Sequence, residues 1–390
     1  MGSIADAVRQ ELTQHIIPFW KGLKDDVNGG FISLVDTRTL ERFPMADKGC
    51  ILNSRILWFF SEAAMQLEDD SLCEYAHHAF EMLKRMTDTV NGGMYWSLKA
   101  DGSVSDSTKH TYNQAFAIYA LSAYYRLTGR KEALKRATDL FELIETRCRD
   151  EGGYLEAFTA DFRPESNEKL SENGVMAVRT MNTLLHVLEG YTGLYQASRL
   201  PEVKAKLIQI LEIFEKHIYN PEKRRQEVFF DHEYRSLIDL HSFGHDIETS
   251  WLAGRTLEVL EDEEITSRIQ PLLIEMADNT YSAAFTESGF MNESECGKVD
   301  ASRVWWVQAE ALLGFLNAWR HTKKTYYLDA ASDMWNYIAS SIIDPRPGSE
   351  WFWQRNADGT KGEREIVNEW KCPYHNGRMC LEVLRLYPEL

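Results

Sequence analysis

The chain lacks the features that would tie it to a membrane, a nucleic acid or a nucleotide. No apolar run is long enough to cross a bilayer, and the N-terminal stretch does not read as a signal peptide. Positive charge is short: 43 Lys and Arg stand against 60 Asp and Glu, a net −17. With no basic stripe, that balance disfavours nucleic acid or an anionic membrane surface as partner. There is no Gly-x-Gly-x-x-Gly and no phosphate loop, so neither a nicotinamide nor ATP is implied. The six cysteines (Cys50, Cys73, Cys148, Cys296, Cys372, Cys380) include no Cys-x-x-Cys pair, which predicts free thiols and a cytoplasmic location. Nor is there a Pro/Ser-rich linker or low-complexity tract, so residues 1–390 are expected to form one domain.

What the chain has is helix-forming sequence in a regular beat. It is 44% hydrophobic and 12% aromatic, enough for a large core. Periodicity predicts an all-α protein of twelve helices near 3–21, 47–68, 71–89, 107–128, 130–147, 172–198, 200–219, 243–261, 263–284, 300–322, 324–343 and 371–386. Between them recurs a Gly-containing, aromatic-flanked loop: Asn28-Gly29-Gly30-Phe31, Asn91-Gly92-Gly93-Met94-Tyr95 and Glu151-Gly152-Gly153-Tyr154. Weaker forms follow at Val228-Phe229-Phe230-Asp231, Ser288-Gly289-Phe290 and Glu350-Trp351-Phe352. The spacing is about 60 residues, stretched in the middle by an apparent insertion around Asn220–Arg225. Asn-Gly-Gly supplies the positive φ of a tight hairpin-like turn.

The helices are of two kinds. Segment 130–147 carries Leu134, Ala137, Leu140, Phe141 and Ile144 on one stripe, so it faces water on the other. Segment 114–125 is apolar nearly all round and must be packed on both sides. Six outer and six inner helices in alternation predict a closed (α/α)6 barrel with short Gly-rich hairpin loops; an open solenoid is the alternative.

The long loops precede the inner helices, so the N-terminal ends of those helices share one rim. Polar and aromatic residues gather there: Arg55; Tyr112, Asn113 and Gln114; Asn182 and His186; His245, Glu248 and Trp251; Trp305, Trp306, Gln308 and Glu310; Trp370 and His375. His245 and Glu248 are i and i+3 on one helix, so the carboxylate is placed to hold the imidazole. Each has a plainer reading as a satisfied core or dipole-facing residue, but six helices converging on one funnel is not a packing pattern. Trp and Tyr faces beside Asn, Gln, Arg and acids suit a neutral sugar. A metal site is possible in principle from His and Glu248, but further inner-helix ligands are not evident, and no metal is expected.

Three stretches carry a family likeness: Gly244-His245-Asp246-Ile247-Glu248-Thr249-Ser250-Trp251-Leu252, Val304-Trp305-Trp306-Val307-Gln308-Ala309-Glu310-Ala311, and Glu369-Trp370-Lys371-Cys372-Pro373-Tyr374-His375-Asn376-Gly377-Arg378. In this order they resemble the N-acylglucosamine 2-epimerase superfamily, most of all its branch acting on the reducing-end glucose of cellobiose. The resemblance implies an (α/α)6 barrel and inversion at C2 without metal or redox cofactor. It implies His245 and His375 as the acid/base pair, His186 and Arg55 on the C1 and C2 oxygens, and Glu248 behind His245. Tyr112, Asn182, Trp251, Trp305, Trp306, Glu310 and Trp370 would shape the sugar subsites, Trp370 under the non-reacting ring. The expected partner is a small sugar, such as cellobiose, lactose or mannobiose, and the expected assembly a monomer or weak homodimer. Rival readings are a mannose 2-epimerase or aldose–ketose isomerase, a glycoside hydrolase using two of Asp246, Glu248, Glu310 and Glu369, and a non-catalytic carbohydrate-binding protein.

Overall fold

Six helices of the computed structural model, which describes residues 4–171 and 173–390, form an inner ring; six others are wrapped outside it. In chain order the helices are α1 (Ile4–Glu11, continued by a π-turn Leu12–Ile16 and Ile17–Lys21), α2 (Cys50–Leu67), α3 (Cys73–Arg85), α4 (Thr111–Thr128), α5 (Lys131–Arg147) and α6 (Met181–Ser198). Then come α7 (Pro201–Ile213, continued by Phe214–Ile218), α8 (Phe243–Leu260), α9 (Glu263–Ala284), α10 (Trp305–Thr322), α11 (Thr325–Tyr337, continued by Ile338–Ile342) and α12 (His375–Leu386). Even-numbered helices pack α2–α4–α6–α8–α10–α12, and α12 returns to α2. The ring is closed, which makes the fold an (α/α)6 barrel and removes the open solenoid. Ser3 and Glu172, where two of the expected helices begin, lie outside the described residues.

The inner helices are buried nearly all round, and α2, α4 and α6 show why. Their runs of Ala, Gly, Leu and Phe leave no water-facing stripe, so each must find neighbours on both flanks. Small residues set the spacing. A Cβ added to Gly190 would stand 2.7 Å from the carbonyl oxygen of Ala115, so α6 and α4 are closer than any larger side chain permits. Outer helices keep charge outward, and the buried apolar side chains form one contiguous cluster from Ala5 to Tyr387.

The two ends of the barrel differ. At one end five inner helices stop on a left-handed residue, Glu68, Gly129, Arg199, Glu261 or Lys323, with φ of 53, 70, 55, 51 and 60°. The next outer helix starts almost at once, which needs that sharp reversal. At the other end the chain makes six antiparallel pairs, Lys24–Phe31, Thr87–Met94, Arg149–Tyr154, Tyr219–Gln226, Phe285–Phe290 and Ile343–Trp351. It then enters each inner helix, in five cases through a strand of two or three residues. The fourth pair corrects the repeat: Asn220–Arg225 is the turn itself, not an insertion, and Val228-Phe229-Phe230-Asp231 is the strand that pairs with Arg179–Thr180. Its turn lacks Gly-Gly and so escaped the pattern. Helix 172–198 begins instead at Met181, and 300–322 at Trp305, because short strands paired with Phe229–Phe230 and Gln354–Arg355 occupy the residues just before them.

These loops are clipped to the helices they precede. Asp25 and Asp88 accept the N–H groups of Asn28 and Asn91 and also bind Lys48 and Lys109 at 2.7 and 3.0 Å. Both lysines are fully buried and stand one or two residues before an inner helix. Arg179–Asp150 and Lys371–Glu350 repeat the device. Gln114 and Gln308, expected in the funnel, serve this framework as well: each side chain bonds both the N–H and C=O of Met94 or Phe290.

Candidate active site

The clipped rim surrounds a pocket open to solvent with about 910 Å³ of empty space. Arg55, Tyr112, Asn182, His186, His245, Glu248, Trp305, Trp306, Trp370 and His375 all line it, so ten of the twelve residues given a role by the family likeness share one cavity; Asn113, also expected at the rim, donates instead to the Tyr95 carbonyl. Trp353, Phe229, Asn173 and Glu293 also face it; they come from loops in which no period singles out a residue.

Each histidine is held through one ring nitrogen. His186 Nδ1 lies 2.9 Å from Glu189 Oε2, one turn along α6. His375 Nδ1 donates to Glu310 Oε1 at 2.7 Å across the α12–α10 contact. His245 Nδ1 is 2.7 Å from the Ser242 hydroxyl just before α8. With Nδ1 occupied, Nε2 is the free nitrogen of each ring. The His245 and His375 rings both rest on the Trp306 indole, centroids 4.8 and 5.3 Å away. Gly244 makes room for that indole, since a Cβ there would come within 2.6 Å of it. Burial, then the neighbouring His186, pushes His245 down to about 3. Burial, followed by Arg378 and Arg55, pushes His375 well below the usual histidine range. Both rings are therefore neutral bases at pH 7.

Arg55 reaches from α2 with Nη2 on the Tyr112 hydroxyl at 2.8 Å and Nη1 on the Trp370 carbonyl at 3.0 Å. Its plane lies over Phe116 and Tyr374, 4.2 and 4.5 Å from their centroids. That leaves a fixed, buried positive charge beside the histidines. Asn182 Oδ1 is buried without a partner among the described residues.

Three expectations are corrected. Glu248 does not hold His245; its Oε1 accepts from Arg378 Nη2 at 2.6 Å and is 3.8 Å from His375 Nδ1. Same-face spacing made the pair available, but Ser242 already satisfies His245 and the guanidinium draws the carboxylate inward. Glu310 does not line the pocket: fully buried, it lies behind His375 and also accepts from Trp251 Nε1 at 2.8 Å and Arg378 Nη2 at 2.8 Å. Trp251 likewise stands behind the pocket wall, on Glu310 and under the Arg378 guanidinium. Of the carboxylates proposed for hydrolysis only Glu248 reaches the pocket. Asp246 is tied to Gln226 and His241, and Glu369 is exposed elsewhere on the rim. Glu248, Glu310 and His375 place ligand atoms within 4.8 Å of one another, but Arg378 Nη2 bonds both carboxylates, so the positive charge suiting that cluster is a guanidinium.

Sequence reasoning missed Arg378, Glu189, Tyr374 and Ser242. A signal existed for two of them: Glu189 is i+3 from His186 and Arg378 is i+3 from His375. Burial, then Glu310, raises the Glu248 carboxyl to about 7; burial also pushes Glu189 up, but Arg378, His186 and Tyr374 together outweigh it and hold that carboxyl at about 2.

The chain is similar to known proteins along nearly its whole length. Residues 29–376 match the family model described as N-acylglucosamine 2-epimerase (GlcNAc 2-epimerase). The chain is similar to a cellobiose 2-epimerase of Eubacterium cellulosolvens, 49% identical with 97% of this chain and 98% of that protein covered. It superposes on a crystal structure of a sugar epimerase from a ruminal bacterium with a TM-score of 0.98 at 45% identity, all of both chains covered. On a cellobiose 2-epimerase of Bacillus thermoamylovorans the TM-score is 0.94 at 42% identity, with 99% of this chain and 100% of that chain covered.

Proposed function

Since the chain belongs to the N-acylglucosamine 2-epimerase family, we propose that it epimerises the reducing-end glucose of β-1,4-linked disaccharides at C2, turning cellobiose into 4-O-β-glucosyl-mannose. The observation that carries this reading is the pair His245 and His375: two neutral imidazoles in one pocket, each with Nδ1 tied and Nε2 free.

The chemistry needs an open-chain aldose, loss of the C2 proton next to the aldehyde, and return of a proton to the other face. One imidazole takes the C2 proton as the C–H bond breaks, leaving an enediolate; the other, having taken a proton from solvent, delivers it to the opposite face of C2, and the first returns its proton to solvent. Roles exchange for the reverse direction. The charge passing to the C1 and C2 oxygens needs donors already in place, and Arg55 and His186 line the same pocket. Trp306 and Trp370 offer apolar faces for the two pyranose rings. The likeness to cellobiose 2-epimerases favours cellobiose over a single sugar. A hydrolase needs two carboxylates facing across the pocket; Glu248 and Glu293 line it, but Glu248 accepts from Arg378 and Glu293 from Asn173, and the family likeness favours the epimerase.

The test is proton NMR of cellobiose incubated with the protein in D2O. A mannose reducing end carrying deuterium at C2 is expected. Free glucose, or an unchanged spectrum with cellobiose, would overturn the reading.

A further inference from the structure

Four charged side chains from four inner helices meet behind the pocket wall, and only one is a cation. Arg378, 1% exposed on α12, directs Nη1 to Glu189 of α6 at 2.6 Å and Nη2 to Glu248 of α8 at 2.6 Å and Glu310 of α10 at 2.8 Å. Its plane is sandwiched at 4.1 Å from the Tyr374 ring centroid and 4.7 Å from that of Trp251, and Tyr374 in turn bonds Glu189. A planar fork with five donors can serve three carboxylates from three directions; an ammonium cannot.

Two of those carboxylates hold histidines, Glu189 on His186 and Glu310 on His375. The third, Glu248, lines the pocket, and its Oε2 is buried without a partner among the described residues. We propose that Arg378 is a positioning residue of the reaction: it touches no substrate, but its guanidinium fixes the carboxylates that set the orientation and tautomer of His186 and His375. This rests on the epimerase reading for its kinetic consequence, though not for its structural one.

Without the guanidinium, three carboxylates buried side by side repel and take up protons. A protonated or displaced Glu310 stops accepting from Nδ1, and the free tautomer at Nε2 is lost. The charge balance at His375 also changes. Arg378 and Arg55 face it as cations, Glu310 and Glu248 as acids, with His245 and His186 beside it; Tyr374 and Cys372 flank it on its own segment. Tyr112, from α4, and Tyr119 complete the titratable groups around the cluster. Removing one cation from that set raises the basicity of His375 toward the working pH.

The experiment compares the parent with Arg378→Met and Arg378→Lys by nitrogen-15 NMR of labelled histidines, alongside the pH profile of cellobiose epimerisation. In the parent, His375 should stay neutral through pH 6–8 with hydrogen on Nδ1. In Arg378→Met it should titrate at least about one unit higher. kcat should fall about 100-fold or more at pH 7, recovering in part as pH rises, with KM within about threefold. Arg378→Lys keeps the charge without the fork: its acid limb should stay near the parent's, while kcat falls by about tenfold or more and His375 shows mixed tautomers. If Arg378→Met does not fold, the lysine variant decides, since parent-like tautomer and kcat there would overturn the proposal. A loss in Arg378→Met that is uniform with pH, with His375 unmoved, would overturn it too. Should the parent fail to epimerise cellobiose, the proposed activity falls, and the histidine spectra still decide whether Arg378 positions His375.

Discussion

Glu310→Gln changes almost no volume and one charge, and the surroundings of Glu310 show what must follow. All three neighbours are N–H donors: His375 Nδ1 and Arg378 Nη2 on Oε1, Trp251 Nε1 on Oε2. Burial raises this carboxyl and Arg378 opposes the rise; with three donors aimed at it, the ionised form is the one that satisfies them. An amide has one acceptor and must point its NH2 group somewhere. Turned toward Trp251, it leaves two buried donors face to face, at about 1–3 kcal/mol, and weakens the bonds that had been charge-assisted. Turned toward His375, it forces the ring into the opposite tautomer with hydrogen on Nε2, where the base must be free. Losing a charge-assisted bond of about 1.5–3 kcal/mol and part of the tautomer population together amounts to about 2–4 kcal/mol in the barrier. That is about 30- to 1,000-fold in kcat. Because Glu310 is fully buried away from the pocket, KM for cellobiose should change less than about threefold. The assay is the initial rate of mannose-end formation at saturating cellobiose, with thermal unfolding as the check on folding. A kcat within threefold of the parent, in a variant that folds, would refute the reasoning that Glu310 sets the state of His375.

Other outcomes follow from the same geometry. Replacing His245 or His375 by Ala should lower kcat by about 10²–10⁴-fold with the unfolding temperature little changed; a double variant with parental activity would sink the two-imidazole mechanism. Trp370→Ala removes an indole face but keeps the backbone carbonyl that accepts from Arg55, so KM for cellobiose should rise about tenfold from a loss of about 1–1.5 kcal/mol while kcat stays within threefold. For stability, His245 takes a proton near 6.5 when unfolded but only near 3 when folded, so its contribution falls as pH drops below about 6.5. His245→Gln lacks that penalty; relative to the parent it should gain about 1–3 kcal/mol between pH 7 and pH 4, read from denaturant midpoints at each pH, and a constant difference would refute the depressed basicity.

The ring of helices could be read from the chain because each inner helix advertises itself locally, as in the all-round apolar stretch of α4, and because the loops repeat. Arg55, His186, His245 and His375 could be read for the same reason: polar residues near the starts of helices that are otherwise apolar. What could not be read is how one helix addresses the next. Glu248 follows His245 by one turn, yet it turns to Arg378, 130 residues away, because the angle at which α8 meets α12 decides the matter. Glu310 and Trp251 were rightly drawn to the site and placed one layer too far forward, since helical spacing gives a face but no depth. The fourth turn, without Gly-Gly, kept the geometry of the others after losing their sequence mark.

Ring closure also orders the site in time. The ribosome makes His186 and His245 long before His375 and Arg378, which are carried by α12, the last of the described helices in chain order. Until α12 docks between α10 and α2, Glu189, Glu248 and Glu310 have no guanidinium to share, and the nascent barrel holds a knot of carboxylates that must stay protonated or hydrated. Docking the final helix therefore brings in the countercharge and the second imidazole in a single step. A barrel without α12 lacks both His375 and the guanidinium, so the same contacts that close the ring complete the pocket.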